Sequence, residues 1–526
     1  ATQLVWTQQP SAVVAGATMS PAVTVSVEDA SGNVVTTASG TVTLGLTGSP
    51  GGVTLTGGGA ATVTSGVATF AGLSVNKAGT YTFTPTTTVT GVTTLPTSGS
   101  FAVSAGTATQ LVWTQQPSAV VAGATMAPAV TVTVEDAGGN VVTSASGTVT
   151  LALTVPGGAT LTGGGATSVA SGVATFNGLS VNKVGTYTFT PTTTVSGVTT
   201  LPASGSFAVS AGAAKQLVWT QQPTAVAAGA TMSPAVTVTV EDANGNVVTS
   251  ASGTVTLALT VPGGATLTGG GATSVSSGVA TFNGLKVDKV GTYTFTPSTT
   301  VSGVTTLPAS GSFAVSAGAA SQLVWTQQPT NVVAGATMSP AVTVTVEDAN
   351  GNVVTSASGT VTLALTVPGG ATLTGGGATS VSSGVATFNG LSVDLATTYT
   401  FTPSTTVSGV TTLPASGSFT VSAGTANKLI ISTEPSSSAT SGVAFLQQPV
   451  IQVADQFGNP VASSGVSVAA TIATGSGTLG GTTPQLTNAS GTATFIDLAI
   501  TGSGPFTLNF AASGLTNVIS TTITLP

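Results

Sequence analysis

Hydrophobic and polar residues alternate along most of this chain with a period of two. Val23, Val25 and Val27 alternate with Thr24 and Ser26, and Val42, Leu44 and Leu46 alternate with Thr41, Thr43 and Gly45. Tyr81 and Phe83 are set among Thr80, Thr82 and Thr84, and Phe101 and Val103 keep the pattern. Alternation of this kind sends one set of side chains to a core and the other to solvent, as in half-buried strands. No apolar stripe of useful length runs at helical spacing. Roughly seven such strands, separated by turns bearing Gly, Pro and Asn, predict a two-sheet antiparallel sandwich of about 105 residues. Asp29–Asn33 is expected to close a hairpin, with Gly32 supplying a positive φ.

The same unit then recurs. Gln-Leu-Val-Trp-Thr-Gln-Gln-Pro places tryptophans at Trp6, Trp113, Trp219 and Trp325, at intervals of 107, 106 and 106 residues. Tyr81, Tyr187, Tyr293 and Tyr399 follow, as do Phe70, Phe176, Phe282 and Phe388. The extra residue of the first copy lies where Thr47-Gly48-Ser49-Pro50 replaces Thr154-Val155-Pro156, which marks a surface loop. A divergent fifth copy begins near Ala426, with Ile431 in the tryptophan position. The Asp-x-x-Gly-Asn loop is present in all five copies: Asp29, Gly32 and Asn33; Asp136, Gly139 and Asn140; Asp242, Gly245 and Asn246; Asp348, Gly351 and Asn352; Asp455, Gly458 and Asn459. A period near 106 exceeds that of a solenoid repeat, and each copy is long enough to own a core. The expected domains are 1–107, 108–213, 214–319, 320–425 and 426–526.

Composition narrows the chemistry. The 526 residues include no Cys or His, and 6 lysines account for every basic side chain against 13 acidic ones. Disulfides, thiolate metal sites, cysteine nucleophiles and histidine-based catalysis are therefore excluded. A net charge of −7 without arginine makes nucleic acid a poor partner. Mean hydropathy is positive at +0.50, yet no stretch approaches the 18 consecutive apolar residues that a spanning helix needs, so membrane insertion is not expected. The first residues lack the basic region and apolar core of a secretion leader, which was either removed or lies outside this section of a longer chain.

The segments Val25 to Asn33, Gly66 to Phe70 and Gly79 to Phe83 together resemble the bacterial immunoglobulin-like domains of invasin- and intimin-type adhesins. The resemblance covers all five copies. It implies an all-β chain, a tandem array of five immunoglobulin-like antiparallel β-sandwich domains, in an extracellular stalk, adhesin or surface-assembly protein. It transfers no catalytic residue.

Candidate chemistry is sparse. Glu28-Asp29, Glu135-Asp136, Glu241-Asp242 and Glu347-Asp348 are the carboxylate pairs, and the fifth copy breaks the pattern with Ala454-Asp455. Neighbouring strand residues face opposite ways, whereas glycosidase carboxylates face one another. The loops are thus expected to be structural turns in which Asp accepts backbone N–H bonds. A Ca²⁺ site there is the alternative, since oxygen ligands suit that ion. No cofactor is expected otherwise. Lys77, Lys183 and Lys289 precede the Gly-Thr-Tyr strand, with Leu395 in the fourth copy. Some Gram-positive surface domains join such a lysine covalently to Asn or Asp; a lysine guarding a strand end is the expectation here. The tryptophans are expected in core or interdomain packing, and the Gly-Gly-Gly runs in turns.

Short links such as Ser104-Ala105-Gly106-Thr107 predict an extended string of roughly 40 Å per domain and about 200 Å in all. The expected function is that of an extracellular structural protein, at a bacterial cell surface or in a secreted matrix. It would be a fibre or surface-layer subunit that self-associates through its uncharged Thr/Ser-rich surfaces. The alternative is an adhesin stalk whose fifth domain binds a surface glycan or host protein.

Overall fold

A computed structural model describes residues 1–50, 52–154, 157–260, 264–366 and 369–526. The length difference at Thr154-Val155-Pro156 falls partly outside the described residues. Among those described there is no helix, and none therefore long and apolar enough to cross a membrane. The chain is a series of antiparallel β-sandwiches, each with its own hydrophobic core.

In the first domain the strands are β1 (Gln3–Gln8), β2 (Val13–Val14), β3 (Val23–Glu28), β4 (Thr41–Ser49), β5 (Leu55–Thr56), β6 (Ala61–Thr64), β7 (Val67–Phe70), β8 (Ser74–Val75), β9 (Gly79–Thr87) and β10 (Phe101–Ser104). The hydrogen-bonded order is β1-β3-β7-β6-β4-β9-β10-β2, with β5 and β8 as a separate pair. In the second to fourth domains the order opens into a three-stranded and a five-stranded sheet. Leu4 faces Val27 and Trp6 faces Val25; a register shift between Trp6 and Gln8 then lets the chain leave this sheet. It joins the other one as β2, parallel to the last strand, with Val13 opposite Val103.

The period-two pattern decides what fills the space between the sheets. Val23, Val25, Val27 and Phe83 are wholly buried, each burial contributing about 1.5–3 kcal/mol. Phe83 and Phe101 lie 4.8 Å apart between ring centroids, and Trp6 stacks on Phe83 at 6.4 Å. The tryptophans are half-buried and serve their own domains: Trp6 Nε1 donates to Pro96 O at 2.9 Å, and Trp219 Nε1 to Pro308 O at 2.9 Å. In the fifth domain Ile431 takes that place, and the buried Gln452 fills the space of Ser26. Its Nε2 donates to Ser490 O at 3.0 Å, while its Oε1 accepts from Thr492 Oγ1 at 2.9 Å. Each Asp-x-x-Gly-Asn loop closes a one-bridge hairpin at the end of the second long strand, as in Glu28 to Val34. The glycines adopt φ of +83, +72, +70, +72 and +94° at Gly32, Gly139, Gly245, Gly351 and Gly458.

Candidate interdomain junction site

In the second to fifth domains the loop lies against the domain before it. At the first junction Asp136 Oδ1 accepts from the N–H groups of Gly138 (2.9 Å) and Asn140 (2.8 Å). Its Oδ2 accepts from the linker, Gly106 N–H, at 2.7 Å, and from Asn140 Nδ2 at 3.0 Å. The Asn140 amide then pairs with the preceding domain as a strand residue would. Nδ2 donates to Asn76 O (3.2 Å), and Oδ1 accepts from Ala78 N–H (3.0 Å). Between those two groups Lys77 extends its ammonium to the loop carbonyls of Gly138 (3.0 Å) and Gly139 (3.4 Å).

The arrangement recurs at each junction. Asp242 accepts from Gly212 N–H, Asp348 from Gly318 N–H and Asp455 from Gly424 N–H, each at 2.8 Å. Asn246 pairs with Asn182 O and Val184 N–H, Asn352 with Asp288 O and Val290 N–H, and Asn459 with Asp394 O and Ala396 N–H. Lys183 donates to Asn244 O at 2.7 Å and Lys289 to Asn350 O at 2.5 Å. The lysines thus grip the next domain, and the strand-end guard expected of them is corrected. Their ammonium groups bond to main-chain carbonyls of the loop. At the fourth junction, where Leu395 replaces the lysine, Lys428 of the fifth domain donates to Gln456 O at 3.0 Å. One ammonium therefore meets the loop carbonyls at every junction.

The gripping triplet is held from its own side. Asn182 Oδ1 accepts from Thr160 N–H (2.7 Å), and Tyr187 Oη donates to Lys183 O (2.8 Å). Tyr293 and Tyr399 do the same to Lys289 O and Leu395 O. At the second to fourth junctions the third residue of the loop rests on a glycine of the preceding domain. A Cβ on Gly229 would meet Asn350 Nδ2 at 2.7 Å, and one on Gly335 would run into the ring of Phe457. Only glycine permits that approach.

Burial differs sharply between the copies. Asp136, Asp242, Asp348 and Asp455 are 1–5% exposed, and their asparagines 4–6%. Asp29 is half-exposed and Asn33 exposed, although the loop keeps its own bonds, Asp29 Oδ1 accepting from Ser31 N–H (2.8 Å) and Asn33 N–H (3.0 Å). Burial alone would raise the carboxyl pKa of Asp136, but the donors from Asn140, Gly106 and Gly138 outweigh it and hold the group below the ordinary value of 3.8. The same balance lowers Asp242, Asp348 and Asp455.

The carboxylate pairs divide their work. Glu241 Oε2 accepts from Gln216 Nε2 at 3.2 Å, while Asp242 serves the linker and loop. Among the described residues no three acidic side chains gather closely enough to hold a metal ion.

No family model matches the chain, and no curated protein matches it. Among solved structures it is similar to the Escherichia coli adhesin FdeC, at 21% identity over 59% of this chain and 96% of that one, with a TM-score of 0.29. It is similar to Yersinia pseudotuberculosis InvD (18%, 59% and 96%, TM-score 0.28) and to invasin, a bacterial integrin-binding protein (14%, 79% and 79%, TM-score 0.27). These neighbours belong to the adhesin group that the sequence resembles.

Proposed function

We propose that the chain is a non-catalytic stalk of an extracellular bacterial surface protein, in which near-identical sandwiches supply length and the loop junctions supply stiffness. The observation that carries this reading is the repetition of one hydrogen-bonded joint, with the same donor and acceptor atoms, between all consecutive domains. Each joint buries a carboxylate whose lone pairs are taken by N–H donors, with a tethered ammonium on the loop carbonyls. A hinge would leave such groups to water; a fixed joint needs them satisfied. At each joint the positive charge beside the loop carbonyls is a lysine.

A second reading concerns the fifth domain. Leu446 is fully exposed, Ile496 74% and Leu486 65%, an apolar exposure that no described residue of the other domains matches. This favours the fifth domain as the contacting end, toward a surface glycan or host protein. Lateral self-association into a fibre or layer, which the scarcity of charge suggests, is the rival. Light scattering in low salt and in 1 M salt separates them: single chains at both concentrations support the stalk, and large assemblies at both would overturn it in favour of the fibre.

A further inference from the structure

The two ends of the array are built differently. At the far end of the fifth domain, Thr501, Gly502 and Ser503 stand where Asn76, Lys77 and Ala78 stand in the first. There the ladder between Gly477–Gly480 and Ala499–Gly502 continues through Thr501 and Gly502, so these residues pair within their own domain. In the second domain the equivalent ladder stops at Leu161↔Val181, before the gripping triplet. Phe506 stands in the tyrosine position, whose hydroxyl props the triplet in the second to fourth domains, and no lysine is present.

The near end of the first domain is the reverse case. The Asp29–Asn33 loop has the bonds of a docked loop on its own side, including Asn33 Nδ2 to Asp29 Oδ2 at 3.0 Å. What it lacks is the other half. Among the described residues no linker glycine reaches Asp29 as Gly106 reaches Asp136, and no main-chain pair meets the Asn33 amide as Asn76 and Ala78 meet Asn140. Ser31, the residue that would rest on a partner's glycine, is exposed. It is smaller than Asn244 or Phe457, which fit that position at other junctions.

We propose that the loop end of the first domain is a docking socket for the distal end of a further repeat of this kind, one that presents Asn-Lys-Xaa-Gly-Thr-Tyr. The occupant is a repeat carried in series through the same Ser-Ala-Gly link, because one bond of every joint comes from the link's own glycine N–H. A second copy of this chain does not fit, since its distal end is paired with itself. The first domain therefore accepts a further repeat at its loop end, whereas in the fifth domain the triplet position is taken up by its own ladder. The proposal rests on the junction reading above.

The test joins residues 108–213 ahead of Ala1 of the full chain, which recreates the Gly212-Ala213-Ala-x link. Hydrogen exchange is followed on the peptide 27–35, whose sequence is unique, and on the sequence shared by 240–248 and 346–354, both already docked, as the reference. The expected result is that 27–35 slows at least tenfold, to the rate of the reference, and that Lys183→Ala in the added repeat or Asn33→Ala in the first domain reverses much of the change. Unchanged exchange at 27–35 beside a slow reference would overturn the socket alone. Fast exchange at both would overturn the junction reading beneath it. Slow exchange at 27–35 in the unextended chain, with a doubled mass by light scattering, would also overturn the proposal and identify a second copy as the occupant.

Discussion

Asp242 carries more at the residue scale than its place in a turn suggests. Its side chain accepts from Gly212, Asn244 and Asn246 N–H and from the Asn246 amide. Asp242→Ala leaves several buried donors without a partner, at about 1–3 kcal/mol each. Gly245→Val costs about 1–3 kcal/mol in backbone strain, since a Cβ there meets Lys183 Nζ at an ordinary 3.5 Å. The linker bond to Gly212 makes Asp242 the costlier loss of the two. Calorimetry should therefore show one transition shifted down further by Asp242→Ala than by Gly245→Val. The lowered carboxyls set the acid limit. A folded pKa below the unfolded 3.8 contributes stability that is complete above that value and is lost as pH falls through the folded one. The tyrosines, raised by burial above 10.0, withdraw stability only above that value. Melting temperature should thus be flat from about pH 4.5 to 9 and fall on either side; a steep slope inside that window would contradict the assignment.

Between elements, the joint is a pairing of a hairpin loop with the start of a strand in the domain before it. Leu395 and Lys428 show how it tolerates change: the fourth domain loses the gripping lysine, and the fifth gains one in the position of Gln110. Lys428→Gln should loosen the fourth junction by about 1 kcal/mol, a partly exposed charge-assisted bond. That is a several-fold rise in exchange at 455–461, and Leu395→Lys added to it should restore protection. No rescue would mean that the ammonium is incidental. The strands and the loop were legible because alternation at Val23–Val27 and a glycine at Gly32 are local signals. The partner of the loop was not. Asn140 meets Ala78 across 62 residues and a domain boundary, and no local period encodes that. The exchange of lysine between Leu395 and Lys428 was the one sequence clue, and it gains meaning only once both positions are seen at one loop.

Taken as a whole, the molecule repeats one joint between sandwiches with little charge, so its stiffness should be nearly indifferent to salt and to divalent cations. Screening acts weakly on buried groups, and the cation at each joint is covalently part of the chain. The most direct test is the end-to-end length of single chains by electron microscopy, with a chelator and with Ca²⁺. The account predicts one narrow distribution near 200 Å, from roughly 40 Å per domain, unchanged by either addition and broadened when Asp136, Asp242, Asp348 and Asp455 are all replaced by Ala. A broad, bent distribution in chelator that narrows on adding Ca²⁺ would contradict it.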